Sequence, residues 1–223
     1  MQGWRSLVTP RRSGLARAVR AAGMTLFLGA ALISGCKAPS DRKAEADAAM
    51  KQGIDKLNKG DHFGAVEDLT RAITLRPTAE AYYHRSNARQ ELNNYKGAID
   101  DLTEVINTSP DKRWSYYNRG IAKGKLGDDQ GAIDDYTSAI ALNPQFAQAL
   151  LNRGNARLQL DHFEQAVQDY DKAIQINPDL RGAFLGRGIA KELHGNLGDA
   201  CPDYRKAANL GSQKAAGWVK DAC

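Results

Sequence analysis

Histidine and cysteine are scarce in this chain of 223 residues, four and three respectively. His62, His84, His162 and His194 have no cysteine, histidine or carboxylate partner at a spacing that would hold a metal ion. No serine sits in a nucleophile elbow, and no glycine-rich phosphate loop is present. Carboxylates are plentiful, but they recur in one frame, as in Asp100-Asp101 and Asp134-Asp135. That is the pattern of a solvated helix face rather than an acid–base pair. The expectation is a protein that is not an enzyme and uses neither a metal nor a cofactor. A long hydrophobic run is also missing. The most apolar stretch, Ala21 to Ile33, falls short of the roughly 20 residues that span a bilayer.

A surplus of one charge sign disappears once the N-terminus is set apart. The whole chain carries a net charge of +5, and residues 1–35 hold Arg5, Arg11, Arg12, Arg17 and Arg20 with no acid. Those five arginines account for the entire excess. Basicity therefore gives no reason to expect a nucleic-acid partner. A basic start followed by a short apolar stretch has the form of an export signal. The segment closes on Leu32-Ile33-Ser34-Gly35-Cys36, which resembles the lipobox of bacterial lipoproteins. The resemblance implies that residues 1–35 are removed and that Cys36 carries lipid. The mature protein would then sit on the cell membrane or outer membrane, facing the periplasm. Lys37 after the cysteine, in place of aspartate, favours the outer membrane. An uncleaved anchor or an Arg-rich organelle presequence would be the alternatives. Residues 36–45 are polar, contain Pro39 and Ser40, and read as a tether.

What is present in place of catalytic motifs is a repeat. Pro77, Pro110, Pro144 and Pro178 fall at a near-constant interval. Copies begin near Ala46, Ala79, Arg113, Ala147 and Arg181. The eighth position reads Gly53, Ser86, Gly120, Gly154 and Gly188, and the twentieth is alanine in all five. Small residues there let two antiparallel helices approach closely. Larger residues at position 4 (Tyr82, Tyr116, Leu150, Phe184) and position 24 (Leu69, Leu102, Tyr136, Tyr170, Tyr204) fill the space beside them. Proline then stops the second helix.

This pattern resembles the tetratricopeptide repeat. The resemblance implies an all-α fold: an α-solenoid of about five helix-turn-helix repeats over 46–212. Residues 213–223 read as a capping helix, since a terminal repeat needs cover. Repeats of this kind hold other proteins, and their first helices line a concave groove. The groove positions here hold Tyr83, His84, Asn87, Trp114, Tyr117, Asn118, Lys125, Leu151, Asn152 and Asn155. Aromatic rings and amides suit an extended peptide or a helix laid in the groove. The same tyrosines could instead shield neighbouring helices.

Two further features follow the repeat. Position 7 carries Arg85, Arg119, Arg153 and Arg187, and position 23 carries Asp68, Asp101, Asp135, Asp169 and Asp203. They predict a ladder of charge pairs, either within repeats or between neighbours. Cys201 and Cys223 remain as an even pair, which tends to bridge in an oxidising compartment, with two reduced thiols as the other state. Together these readings give a lipid-anchored scaffold that binds a protein or peptide in the bacterial envelope, similar in outline to NlpI-type lipoproteins. A pilotin-like assembly factor is a second reading. An organelle import receptor is a third, if the N-terminus is not a lipoprotein signal.

Overall fold

The structure is a computed structural model that describes residues 39–223. The expected signal segment, Cys36 and Lys37 lie outside the described residues. The described chain is eleven α-helices without a strand: α1 (Pro39–Asn58), α2 (His62–Leu75), α3 (Ala79–Glu91), α4 (Tyr95–Thr108), α5 (Arg113–Lys125), α6 (Asp129–Leu142), α7 (Ala147–Gln159), α8 (Phe163–Ile176), α9 (Arg181–Leu193), α10 (Leu197–Asn209) and α11 (Gln213–Ala222). Helices pack against their sequence neighbours throughout, and odd-numbered helices also touch the next odd-numbered one (α1–α3, α5–α7, α7–α9). The odd helices therefore form the inner layer. None of the described helices is long and apolar enough to cross a membrane.

One element departs from the sequence reading. Residues 36–45 were expected as a tether, but α1 begins at Pro39. Proline suits a first helical position, because its missing amide would be unpaired there anyway. Asp41 follows in the first turn, where the helix dipole favours an acid.

The turn inside each repeat has one recipe. Position 15 lies at positive φ in every copy: Gly60, Asn93, Gly127, Asp161 and Gly195. Glycine adopts that geometry freely, and Asn and Asp tolerate it best among the rest. The next helix starts at once. Asp61, Asn94 and Asp128 cap it by accepting from the amides of Gly64, Gly97 and Gly131. His162 and Asn196 make no such side-chain cap in the last two repeats.

The core is a row of small-against-large contacts. Ala65, Ala98, Ala132, Ala166 and Ala200 are fully buried. A Cβ added at Gly120, Gly154 or Gly188 would lie 2.5–2.7 Å from the tyrosine at position 24 of the same repeat. In these three repeats position 8 is thus glycine because an aromatic ring rests on its backbone, and Gly53 lies as close to Leu69. Ser86 is tolerated in the second repeat, where position 24 is Leu102, and its hydroxyl donates to the Tyr83 carbonyl at 2.7 Å.

The final helix closes the row. Ser212 caps α11 by accepting from Ala215 N, Ala215 is buried, and Trp218 packs on Tyr204 with ring centroids 5.1 Å apart. Cys201 and Cys223 are joined by a disulfide that ties the end of α11 to α10.

Candidate functional site

The charge ladder comes first, because it fixes what remains for binding. Arg85 grips Asp101 with two parallel bonds, Nε to Oδ2 at 3.0 Å and Nη2 to Oδ1 at 2.6 Å. Arg119–Asp135, Arg153–Asp169 and Arg187–Asp203 repeat the fork. The ladder therefore runs within repeats. The third guanidinium nitrogen also reaches back one repeat: Arg85 to Thr70, Arg119 to Thr103 and Arg153 to Thr137, each at 3.0 Å. Arg187 finds Asp171 there instead.

Sequence reasoning missed the second cation. Arg89, Lys123, Arg157 and Lys191, four residues after each arginine, hold the same four aspartates at 2.7–2.9 Å. The signal was available, since a basic residue recurs at position 11 with the repeat period. Asp101, Asp135, Asp169 and Asp203 are all 3% exposed or less. An anionic ligand would meet arginines already occupied by buried carboxylates. The ladder is structural.

Both ends of the ladder stop in a telling way. The first repeat has Gln52 at position 7 and only Lys56 on Asp68. No earlier described repeat offers a hydroxyl for an arginine there. The last repeat has Arg205 where the acceptor would be, and it donates to the Cys223 carbonyl at 3.1 Å.

The expected groove residues lie on α3, α5 and α7 of the inner layer. Asn118 Nδ2 donates to the Tyr83 hydroxyl at 3.3 Å, and Asn152 Nδ2 donates to the Tyr117 hydroxyl at 3.2 Å. These are two rungs of one kind, each joining neighbouring inner helices. The tyrosines do span neighbouring helices, yet each rung keeps polar capacity: a phenolic proton to give and an amide oxygen to accept. The equivalent positions at the two ends are Met50 with His84, and Leu151 with Gly186. Gly186 has a physical cause, because a Cβ there would lie 2.6 Å from Tyr170 Cζ.

Burial raises the Tyr117 phenol, with Asn152 opposing it, and burial likewise raises Tyr136, Tyr170 and Tyr204. All four are neutral donors at ordinary pH. Tyr170 donates to Asn155 Oδ1 at 2.8 Å, so Asn155 keeps its amide hydrogens for a ligand. His84 is half-buried beside Tyr83, and burial lowers its imidazole, with Glu80 opposing. Asn87 is half-buried and Lys125 exposed; neither side chain pairs with another described residue.

Trp114 is 48% exposed and makes T-shaped contacts with Phe146 and Tyr117, ring centroids 4.8 Å and 6.0 Å apart. It forms one wall of a cleft of about 460 Å³ whose other side is Tyr83 and Glu80. A second cleft, about 320 Å³, lies between α5 and α7 and takes in Lys125, Asn152 and Asn155. Of the expected residues, Tyr83 and Trp114 line the first opening and Lys125, Asn152 and Asn155 the second, whereas His84, Asn87, Tyr117, Asn118 and Leu151 line neither.

Models of the tetratricopeptide repeat match residues 79–112, 114–146 and 147–180. These segments are tetratricopeptide repeats. The flanking helix pairs continue the same packing, and the described chain is a tetratricopeptide-repeat solenoid. Its fold is similar to that of MamA, at 26% identity and a TM-score of 0.71 over 77% of this chain and 94% of that one. It is also similar to YrrB, a repeat protein with an unusual peptide-binding site, at 19% identity and a TM-score of 0.71, covering 82% and 95%. In sequence, 65 residues are 34% identical to human sperm-associated antigen 1; they are 29% of this chain and span only 7% of that protein.

Proposed function

We propose that this protein is an adaptor that grips an extended segment of a partner protein along α3, α5 and α7, and that lipid on Cys36 holds it to a bacterial envelope membrane. The observation that carries the groove reading is the pair of Tyr–Asn rungs flanked by open clefts. Each rung offers one donor and one acceptor, which is what a peptide unit requires, and exposed Trp114 adds rigid contact area. The envelope reading rests on the Arg-rich start, the short apolar stretch and Cys36. Stable anchoring of that kind takes more than one acyl chain.

A photo-crosslinking residue at Trp114 tests the groove, with the same residue at Gln168, exposed on α8, as control. Adducts specific to Trp114, reduced by Tyr117→Phe, are expected. Equal adducts at both places would sink the groove reading. Intact mass and membrane fractionation of wild type beside Cys36→Ala test the anchor. The expected result is a lipid adduct on a chain that starts at Cys36 and is lost in the variant.

A further inference from the structure

From α3 onward, the residue just before each odd-numbered helix either caps that helix or plugs the junction between repeats, with one exception. Thr78 and Ser212 cap, their hydroxyls accepting from the amides of Ala81 and Ala215. Phe146 plugs. It is buried, its ring centroid lies 4.8 Å from that of Trp114 and 4.7 Å from that of Tyr117, and it packs with Ala139 and Ala149. Leu180 does the same one repeat later, in the cluster that holds Leu151, Ala173 and Ala183. Lys112, before α5, makes no side-chain cap and brings a charge where the plug would be. The four positions that hold Phe146 recur one repeat earlier as Glu80, Tyr83, Val105 and Ser115. All four line the cleft of about 460 Å³ beside Trp114. That cleft is the Phe146 slot without its plug.

The lining decides what fits. Val105 and Ser115 are already buried, so an occupant gains little from them. What remains to be covered is the exposed Trp114 ring on one side and half-buried Tyr83 and Ala79 on the other. Trp114 thus serves two slots, the one that Phe146 fills and the open one. Ion pairing does not choose the occupant, because Asp111 on the rim is paired with Arg113, and Glu80 is exposed and screened. Tyr83 also belongs to the first Tyr–Asn rung, so a segment bonded at that rung passes the slot. We infer that the slot receives an aromatic side chain of the bound segment, standing where Phe146 stands one repeat later. Ring-on-ring packing adds to the area that such a side chain buries, and the chain itself uses it to hold Phe146 on Trp114 and Tyr117.

The inference rests on the groove reading, and the experiment separates the two. Fluorescent decapeptide pools, randomised over non-aromatic residues with one central position fixed as Phe, Leu, Ala or Glu, are titrated against the full chain by polarisation. Wild type should bind the Phe pool about tenfold tighter than the Ala pool, with the Leu pool between them. Lys112→Phe, which gives the chain its own plug, should erase that preference, keep the Ala-pool affinity and melt no lower than wild type. Lys112→Ala leaves the slot open and should keep the preference. Trp114→Ala removes a wall without filling the slot and should erase it. Equal binding of the Phe and Ala pools, a preference that survives Lys112→Phe, or one already lost in Lys112→Ala overturns the slot and leaves the groove intact. No binding to any pool overturns both.

Discussion

The charge ladder and the groove of this solenoid both draw side chains from the inner helices, the ladder joining them to aspartates of the even-numbered helices, yet they follow opposite rules. On the ladder face, four repeats carry arginine, a second cation and a buried aspartate in one geometry. On the groove face no two repeats carry the same pair, although single residues recur: Met50 and Lys51, then Tyr83 and His84, Tyr117 and Asn118, Leu151 and Asn152, Leu185 and Gly186. What recurs holds the repeats together, and what varies is free to be selected for a partner. Substitutions should divide along that line, with large stability effects on the ladder and small ones in the groove.

The largest effect belongs to the centre of the ladder. Asp135→Ala leaves Arg119 and Lys123 without their carboxylate in a site that is 3% exposed. Removing one partner of a buried charge cluster costs about 3–5 kcal/mol. Solenoid stability depends on nearest-neighbour interfaces, so urea unfolding should also separate into two steps around the third repeat. Asp68→Ala is the paired control. Asp68 has one cation, Lys56, and both side chains are more exposed, at 16% and 39%. Its cost should stay under about 1 kcal/mol, as for surface pairs. Equal costs at the two positions would break the comparison.

The disulfide comes next. Replacing Cys201 and Cys223 with serine frees the end of α11, and a loop of this length stabilises by about 3 kcal/mol in the chain-entropy model. The loss should appear as faster hydrogen exchange in α10 and α11, with α1 to α6 unchanged. Uniform acceleration along the chain would mean that the cap stabilises the whole solenoid.

Tyr117→Phe is the groove counterpart. It removes the hydroxyl that accepts from Asn152 and leaves the ring against Phe146. One hydrogen bond contributes about 0.5–1.5 kcal/mol, so the melt should shift by a few degrees at most. Binding of a groove ligand should fall by more than the stability does. A stability loss near that of Asp135→Ala would make Tyr117 a core residue and remove it from the binding face.

The repeat frame, the five helix pairs, the cap and the aspartate–arginine partners were legible because each recurs or follows from a fixed offset. Two things were not. The register of the ladder was ambiguous because a guanidinium has five donors, and the structure uses them both ways: toward Asp101 in its own repeat and toward Thr70 in the one before. Single deviations from the pattern were also opaque. Gly124 and Gly186 are both glycine on the inner face, but Gly186 yields to Tyr170 whereas Gly124 leaves open space. Only the neighbouring helix, brought close by the fold, tells them apart.

The smallest effect concerns His84, the groove residue that titrates nearest neutrality. Burial lowers its folded-state pKa below the ordinary value near 6.5, and Glu80 only partly opposes this. The unfolded chain therefore binds the proton more readily than the folded one. The stability contribution is complete above the unfolded pKa and is lost as the pH falls through the lower folded value. Acidification from neutral pH should thus destabilise wild type slightly more than His84→Gln, with the two melts parallel above neutrality. The same protonation would place a positive charge beside Tyr83, a member of the first Tyr–Asn rung, so groove affinity should follow the same pH window. If the two melts stay parallel down to mildly acid pH, His84 is less buried than its contact with Tyr83 implies, and the N-terminal end of the groove is wetter than its centre.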